Sequence, residues 1–143
     1  MKSIILASLL IAGISVAQAD QFQLAFINSN NCGAIQNAIR NLNTSQIGVR
    51  TFCSDYGNYP SNNGNIYHYR MTTIVNVPGP VAPGTSIRLG NILSNNCYST
   101  RNLVLTLNTP QVRVDAECSD FGHYPSTNGN VYNYRLYTTI TIQ

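Results

Sequence analysis

The chain has 143 residues and a formal net charge of +3; 43% of its residues are hydrophobic and only 9% are charged, against about 25% charged in ordinary soluble domains. Lys2 is the sole lysine, and the seven arginines (40, 50, 70, 88, 101, 113, 135) are scattered. That distribution argues against duplex nucleic acid as a partner, which needs clustered cations against phosphates, and leaves no lysine beyond residue 2 for Schiff-base chemistry.

The N-terminal stretch MKSIILASLLIAGISVAQAD has a positive start at Lys2, an apolar run from Ile4 to Val16 and the small-x-small site Ala17-Gln18-Ala19. Those three parts in that order read as a secretory signal peptide over 1–19. The apolar run is shorter than the ~20 residues a bilayer-spanning helix needs, so membrane insertion is not expected. The mature chain is expected to be secreted or periplasmic.

Beyond it, the sequence overlays on itself without a gap when shifted by 65 residues. Residues 21–77 match 86–142, and 26 of these 57 positions are identical, which marks an internal duplication. Repeat 1 occupies 20–77, a Pro/Gly linker (PGPVAPGT) 78–85, and repeat 2 86–143. Cys32, Cys53, Cys97 and Cys118 pair off under the shift. An even cysteine number in an exported chain implies two disulfides. Cys32–Cys53 with Cys97–Cys118 is the simplest pairing, although two other pairings also respect the repeat.

Within each repeat, QFQLAFI and SIRLGNIL alternate loosely and read as strands. The segment GAIQNAIRNLN (33–43) fits a helical stripe through Ala34, Ile35, Ala38, Ile39 and Leu42. Its counterpart YSTRNLVLTLN (98–108) alternates through Leu103, Leu105 and Leu107. Homologous copies share a fold, and the segments that follow (QIGVRTFC, QVRVDAEC) alternate as well, so strand is the expectation in both, with the Asn-Thr-Ser and Asn-Thr-Pro triplets as hairpin turns. The ends of the repeats are clearer. One face of residues 66–77 carries Tyr67, Tyr69, Met71, Thr73, Val75 and Val77, and its copy carries Tyr132, Tyr134, Leu136, Thr138, Ile140 and Ile142. Period two over twelve residues predicts a long half-buried strand. The expected fold is all-β: two homologous repeats of about 57 residues, each burying little surface alone, packed as a pseudo-twofold β-sandwich or barrel-like domain, with two independent mini-domains as the alternative.

The most repeated phrase is CSDYGNYPSNNGNIYHYR at 53–70 and CSDFGHYPSTNGNVYNYR at 118–135. Asn63-Gly64 and Asn128-Gly129 suit a type I′ turn, and Pro60 and Pro125 would block edge pairing. Structure alone could therefore keep the phrase. Yet its loop also concentrates Asp55, Asn58, Tyr59, Asn63 and Asn65 in one copy and Asp120, His123, Tyr124, Asn128 and Asn130 in the other. Planar amides and carboxylates suit vicinal sugar hydroxyls, and a tyrosine ring suits the C–H face of a pyranose. These are the candidate ligand-binding residues.

Catalysis is not expected. The two histidines fall at unlike positions, with His68 matching Asn133 and His123 matching Asn58, so no His-based site is duplicated. No metal or cofactor is expected either, since each copy of the phrase holds one acid where calcium wants several oxygen ligands. The layout resembles that of the cyanovirin-type lectins, also tandem repeats with one disulfide each. The likeness rests on the Cys32…Cys53 and Cys97…Cys118 frames, whose spacing is longer here. The expectation is an exported, disulfide-stabilised binding module with a glycan as the favoured partner. An extracellular protein partner, or a self-associating structural role, is the alternative.

Overall fold

A computed structural model describes residues 19–127 and 129–143, with the backbone alone described at 59, 65–67, 124, 126 and 129–132. The signal peptide expected over 1–19, Ala19 apart, and Asn128 lie outside the described residues. The first half contains β1 (Asp20–Gln23), β2 (Ile27–Ser29), α1 (Cys32–Arg40), β3 (Gly48–Ser61) and β4 (Gly64–Val77). The second contains β5 (Ser86–Arg88), β6 (Ile92–Ser94), α2 (Cys97–Leu105), β7 (Val112–Ser126) and β8 (Gly129–Ile142). No helix in this region is long and apolar enough to cross a membrane.

Each half forms an antiparallel sheet centred on its last strand. β4 pairs with β3 along one side and with β1 and then β2 along the other; β8 does the same with β7, β5 and β6. The predicted period-two face is observed. Met71, Thr73 and Val75 are fully buried and Val77 nearly so, as are Leu136, Thr138, Ile140 and Ile142. The buried side chains of both halves form a hydrophobic cluster that includes Leu24, Leu42, Met71, Leu107 and Leu136.

The strand expected over 33–43 and 98–108 is an α-helix in both copies, so the hairpin predicted there is replaced by a strand–helix–strand passage. The SNNC motif explains why. Asn31 and Asn96 are N-caps whose Oδ1 atoms accept from the amides of Ala34 and Ser99, each at 3.3 Å, satisfying a donor the first helical turn leaves open. Ser29 and Ser94 in turn accept from the cap amides at 2.9 and 3.0 Å. The helical stripe in the first copy was the true signal. In the second copy Cys97, Val104 and Leu107 point inward while Leu103 and Leu105 flank them half-buried, so a helical face passes for an alternation.

The Asn-Thr triplets lead from helix to edge strand. Asn43 donates through Nδ2 to the Arg40 and Val49 carbonyls at 2.7 and 3.1 Å and accepts from the Val49 amide at 2.6 Å. Asn108 repeats the clamp on Leu105 and Val114. Gln36 and Arg101, equivalent helix residues, donate to the carbonyls of Thr51 and Ala116 at 2.8 Å. Each edge strand thus has side chains where another strand would otherwise dock.

The disulfides are Cys32–Cys53 and Cys97–Cys118, with Cα atoms 6.1 and 6.0 Å apart. Each fixes the start of a helix to an edge strand, and closing a loop of 21 residues contributes about 3 kcal/mol in the chain-entropy account. Two disulfides fit an extracellular or periplasmic compartment. The 78–85 segment is tied to both halves. Its Val81 amide donates to the Asp20 carboxylate at 2.7 Å, and its Gly84 amide to the Ile142 carbonyl at 2.7 Å.

The repeated polar phrase, expected as a loop, is strand. β3 continues through Ser61 and β7 through Ser126, so with β4 and β8 each forms a two-stranded ribbon projecting beyond its helix. From Phe52 to Asn58 every residue is exposed, and a ribbon wet on both faces has no apolar alternation to reveal it. The tip of the first ribbon is not a type I′ turn, and the turn expected at Asn128-Gly129 falls on Asn128, outside the described residues. Ser61 pairs with Gly64 across Asn62-Asn63, yet no described non-glycine residue has positive φ; Gly64 takes it instead, at 107°. Type I′ needs positive φ at both central residues. Pro60 and Pro125 lie on β3 and β7, the edge strands, where a missing N–H is tolerated.

Candidate functional site

The ribbons carry a β-bulge at the same place in both halves. Asp55 pairs with Tyr69, Gly57 with His68 and Asn58 with Tyr67, leaving Tyr56 as the extra residue. In the second half Asp120 pairs with Tyr134, Gly122 with Asn133 and His123 with Tyr132, leaving Phe121. Gly57 and Gly122 hold φ of 139° and 130°, values a side chain makes costly.

The bulge decides which side chains share a face. In a regular strand, residues three apart point to opposite faces. Because one residue is unpaired, Asp55 and Asn58 both face the side of positions 67 and 69, and Asp120 and His123 the side of positions 132 and 134. All four polar side chains are exposed, while Tyr69 and Tyr134 pack half-buried against the core at the foot of each ribbon. The structure therefore brings Asp55 with Asn58, and Asp120 with His123. Asn63 sits apart, exposed at the ribbon tip, its amide donating to Ser61 Oγ at 3.3 Å. Tyr59, Asn65, Tyr124 and Asn130 are placed by backbone register only, opposite Ile66, Pro60, Val131 and Pro125. Asn128 falls outside the described residues.

At the foot of the first ribbon, between the Cys32–Cys53 disulfide and the start of α1, lies an open recess of about 300 Å³ lined by Asn30, Asn31, Gly33, Gln36 and Tyr69. Tyr69 is the residue opposite Asp55, so the recess continues the Asp55/Asn58 face. Its walls offer amides and one ring.

The opposite face of the ribbons holds a grouping the sequence did not reveal. The Arg70 guanidinium lies over the Tyr56 ring at 3.9 Å and the Phe26 ring at 4.9 Å, and its Nε donates to Asn28 Oδ1 at 3.4 Å. Arg135 lies over Phe121 at 4.0 Å. The equivalent placement of the two arginines, each beside an aromatic at the bulge, was the available signal. An ion pair to the neighbouring aspartate is the natural first reading of it, whereas cation–π stacking is what forms. Phe26 has no aromatic counterpart, since Asn91 stands at its equivalent.

Two further recesses flank the edge strands at equivalent places. The first, about 270 Å³, is lined by Arg40, Asn43, Val49, Arg50, Thr51 and Phe52. The second, about 240 Å³, has Leu105, Asp115, Ala116 and Glu117 at the matching positions, with Arg88, Arg101 and Tyr137 beside them. Comparisons with protein-family models, with curated proteins and with solved structures return no match.

Proposed function

We propose that the chain is an exported, duplicated binding module whose ligand class is carbohydrate, taken up on the Asp55/Asn58 face of the first ribbon and the Asp120/His123 face of the second. The observation that supports this reading is the bulge shared by both ribbons. It sets a carboxylate and a second polar side chain side by side on one exposed face, the arrangement that vicinal hydroxyls engage, with a half-buried tyrosine adjoining.

The same reading treats the two halves as one pseudo-twofold domain joined by the 78–85 linker. Two reciprocal hydrogen bonds support it: the Ala25 amide donates to the Leu107 carbonyl at 3.0 Å, and the Gly90 amide to the Leu42 carbonyl at 2.7 Å. Each member maps on its counterpart under the 65-residue shift, as in an isologous interface. Two sites on one rigid body could each be weak, around millimolar, and still hold a multivalent surface with avidity 10²–10⁴ above either alone.

The test is a glycan array probed with the oxidised protein from Asp20 to Gln143 beside an Asp55→Ala/Asp120→Ala variant. Selective signals lost in the variant support the reading. A blank array from folded protein overturns it and turns attention to a protein partner, recognised by a stoichiometric complex that sugars do not disturb.

A further inference from the structure

The two halves differ most where their edge recess meets the outer face of the sheet. In the first half the recess places Arg40 and Arg50 beside Phe52, which is 54% exposed, with no acidic side chain in its lining. Farther along the same outer face stands the Arg70–Tyr56–Phe26 group. At the equivalents of Arg40, Arg50 and Phe52 the second half has Leu105, Asp115 and Glu117, and Asp115 is paired with Arg113 at 3.0 Å. The first half thus carries a cationic, aromatic strip with no acid in its recess, whereas the second, although Arg88 stacks on Tyr137 there, sets Asp115 and Glu117 among its cations.

We propose that this outer strip of the first half binds a carboxylate-bearing polysaccharide. The argument is one of complementarity. Arg50 lies on β3 opposite Ile74, and Arg70 lies opposite Ser54, so the two cations stand about 13 Å apart along the strand direction at ~3.3 Å per residue, with Phe52 between them. Stacking engages the flat face of the Arg70 guanidinium, whereas a carboxylate binds to its in-plane N–H edge, so the rings preorganise the cation without competing for the anion. The strip is an open surface, which accepts an internal stretch of an extended chain, and exposed rings between cations suit a polymer that alternates apolar C–H faces with charge. A small inorganic anion would use one arginine and none of the rings.

This inference deepens the carbohydrate reading but uses a different face from Asp55 and Asp120, so the two can fail separately. The experiment is titration of the oxidised protein with polygalacturonate, its methyl-esterified neutral form and poly-glutamate, monitored by calorimetry at two salt concentrations. The decisive variant is Arg50→Asp/Phe52→Glu; both introduced side chains stand at the equivalent positions of the second half, so the fold accommodates them. Arg70→Gln is the second variant, and thermal melts accompany both. The expected result is binding to polygalacturonate that weakens with salt, is abolished by esterification, and falls at least tenfold in either variant, while Arg113→Gln, which removes an exposed arginine from the second half, leaves it unchanged. No binding to polygalacturonate, equal binding to the esterified polymer, or poly-glutamate binding as tightly overturns the proposal, the last by pointing to an acidic protein. Loss confined to Asp55→Ala/Asp120→Ala also overturns it, while leaving the ribbon-face reading intact.

Discussion

The Gly90 amide donates to the Leu42 carbonyl at 2.7 Å, an approach across the two halves that leaves no room for a side chain. A Cβ on Gly90 would stand 2.5 Å from the Asn43 carbonyl oxygen and closer still to that of Asn41. Its counterpart Ala25 makes the matching bond to Leu107 at the longer distance of 3.0 Å with its methyl in place. These amides are available because each first strand is interrupted. Leu24 and Leu89 still donate to Thr73 and Thr138 at 3.0 and 2.9 Å, after which the next amide leaves its own sheet for the other half.

Gly90→Ala is therefore expected to destabilise the whole chain by about 1–3 kcal/mol, the usual cost of forcing an added methyl against atoms that cannot rotate away. Ala25→Gly should cost less, about 1 kcal/mol or below. Urea denaturation of both variants measures this. If the halves unfold as independent units, Gly90→Ala will leave stability unchanged.

Three threonine hydroxyls face the core without a partner among the described residues: Thr51, Thr73 and Thr138. Thr51 and Thr73 lie directly across from one another on β3 and β4. A buried hydroxyl without a hydrogen bond opposes folding by about 1–3 kcal/mol, and replacing it with a methyl of the same shape relieves that cost. Thr73→Val and Thr138→Val are each expected to raise stability by about 1 kcal/mol, seen as a higher denaturation midpoint at constant m-value. A fall of similar size would show that the hydroxyls are satisfied.

How legible these features were differs from one residue set to the next. The long strands were plain because Met71, Thr73 and Val75 recur as Leu136, Thr138 and Ile140 in a period-two pattern that two copies state independently. The cysteine pairing followed from the repeat, though only as the simplest of three. The helices were not plain: α2 buries Cys97 and Val104 and is followed by buried Leu107, but Leu103 and Leu105 sit half-buried beside that stripe and imitate an alternation. The Asn caps in SNNC were the better signal, since a cap acts through one hydrogen bond whatever the composition behind it. The bulge left almost no trace. One unpaired residue changes no composition, and only the recurrence of glycine at 57 and 122 hinted at the backbone there. Hence the sequence marks Asp55, Asn58, Asp120 and His123 only as members of a polar cluster, and the register alone shows which of them share a face.

The Asn43 and Asn108 clamps make a separate expectation. Each side chain satisfies both the amide and the carbonyl of one edge residue, Val49 or Val114, as a neighbouring strand would. Asn108→Ala removes those bonds and the one to Leu105, and is expected to cost about 2 kcal/mol, with part-buried groups losing their partners. It should also expose a stretch of unpaired edge, so light scattering should show more concentration-dependent association than the unaltered protein gives under the same conditions. A monodisperse Asn108→Ala variant would mean that Arg101, donating to Ala116 from α2, protects the edge unaided.

The bulge ties ribbon geometry to the proposed site, and Gly57 and Gly122 are where that tie can be cut. An added Cβ meets nothing within 4 Å at either position, so the strain of a substitution comes from φ of 139° and 130° alone, about 1–3 kcal/mol per site. The ribbon can escape that strain by giving up the bulge and slipping register beyond Asp55. Asp55 and Asn58 would then face opposite sides, because residues three apart in a regular strand do. The helix-covered part of the sheet lies on the other side of the disulfide and does not have to move. Gly57→Val/Gly122→Val is thus expected to abolish glycan binding at the ribbon faces while lowering the thermal midpoint by only a few degrees. Amide exchange should show loss of protection confined to the ribbons. Retained binding in a variant whose ribbon register has changed would separate the ligand site from the bulge and remove the main support for the ribbon-face reading.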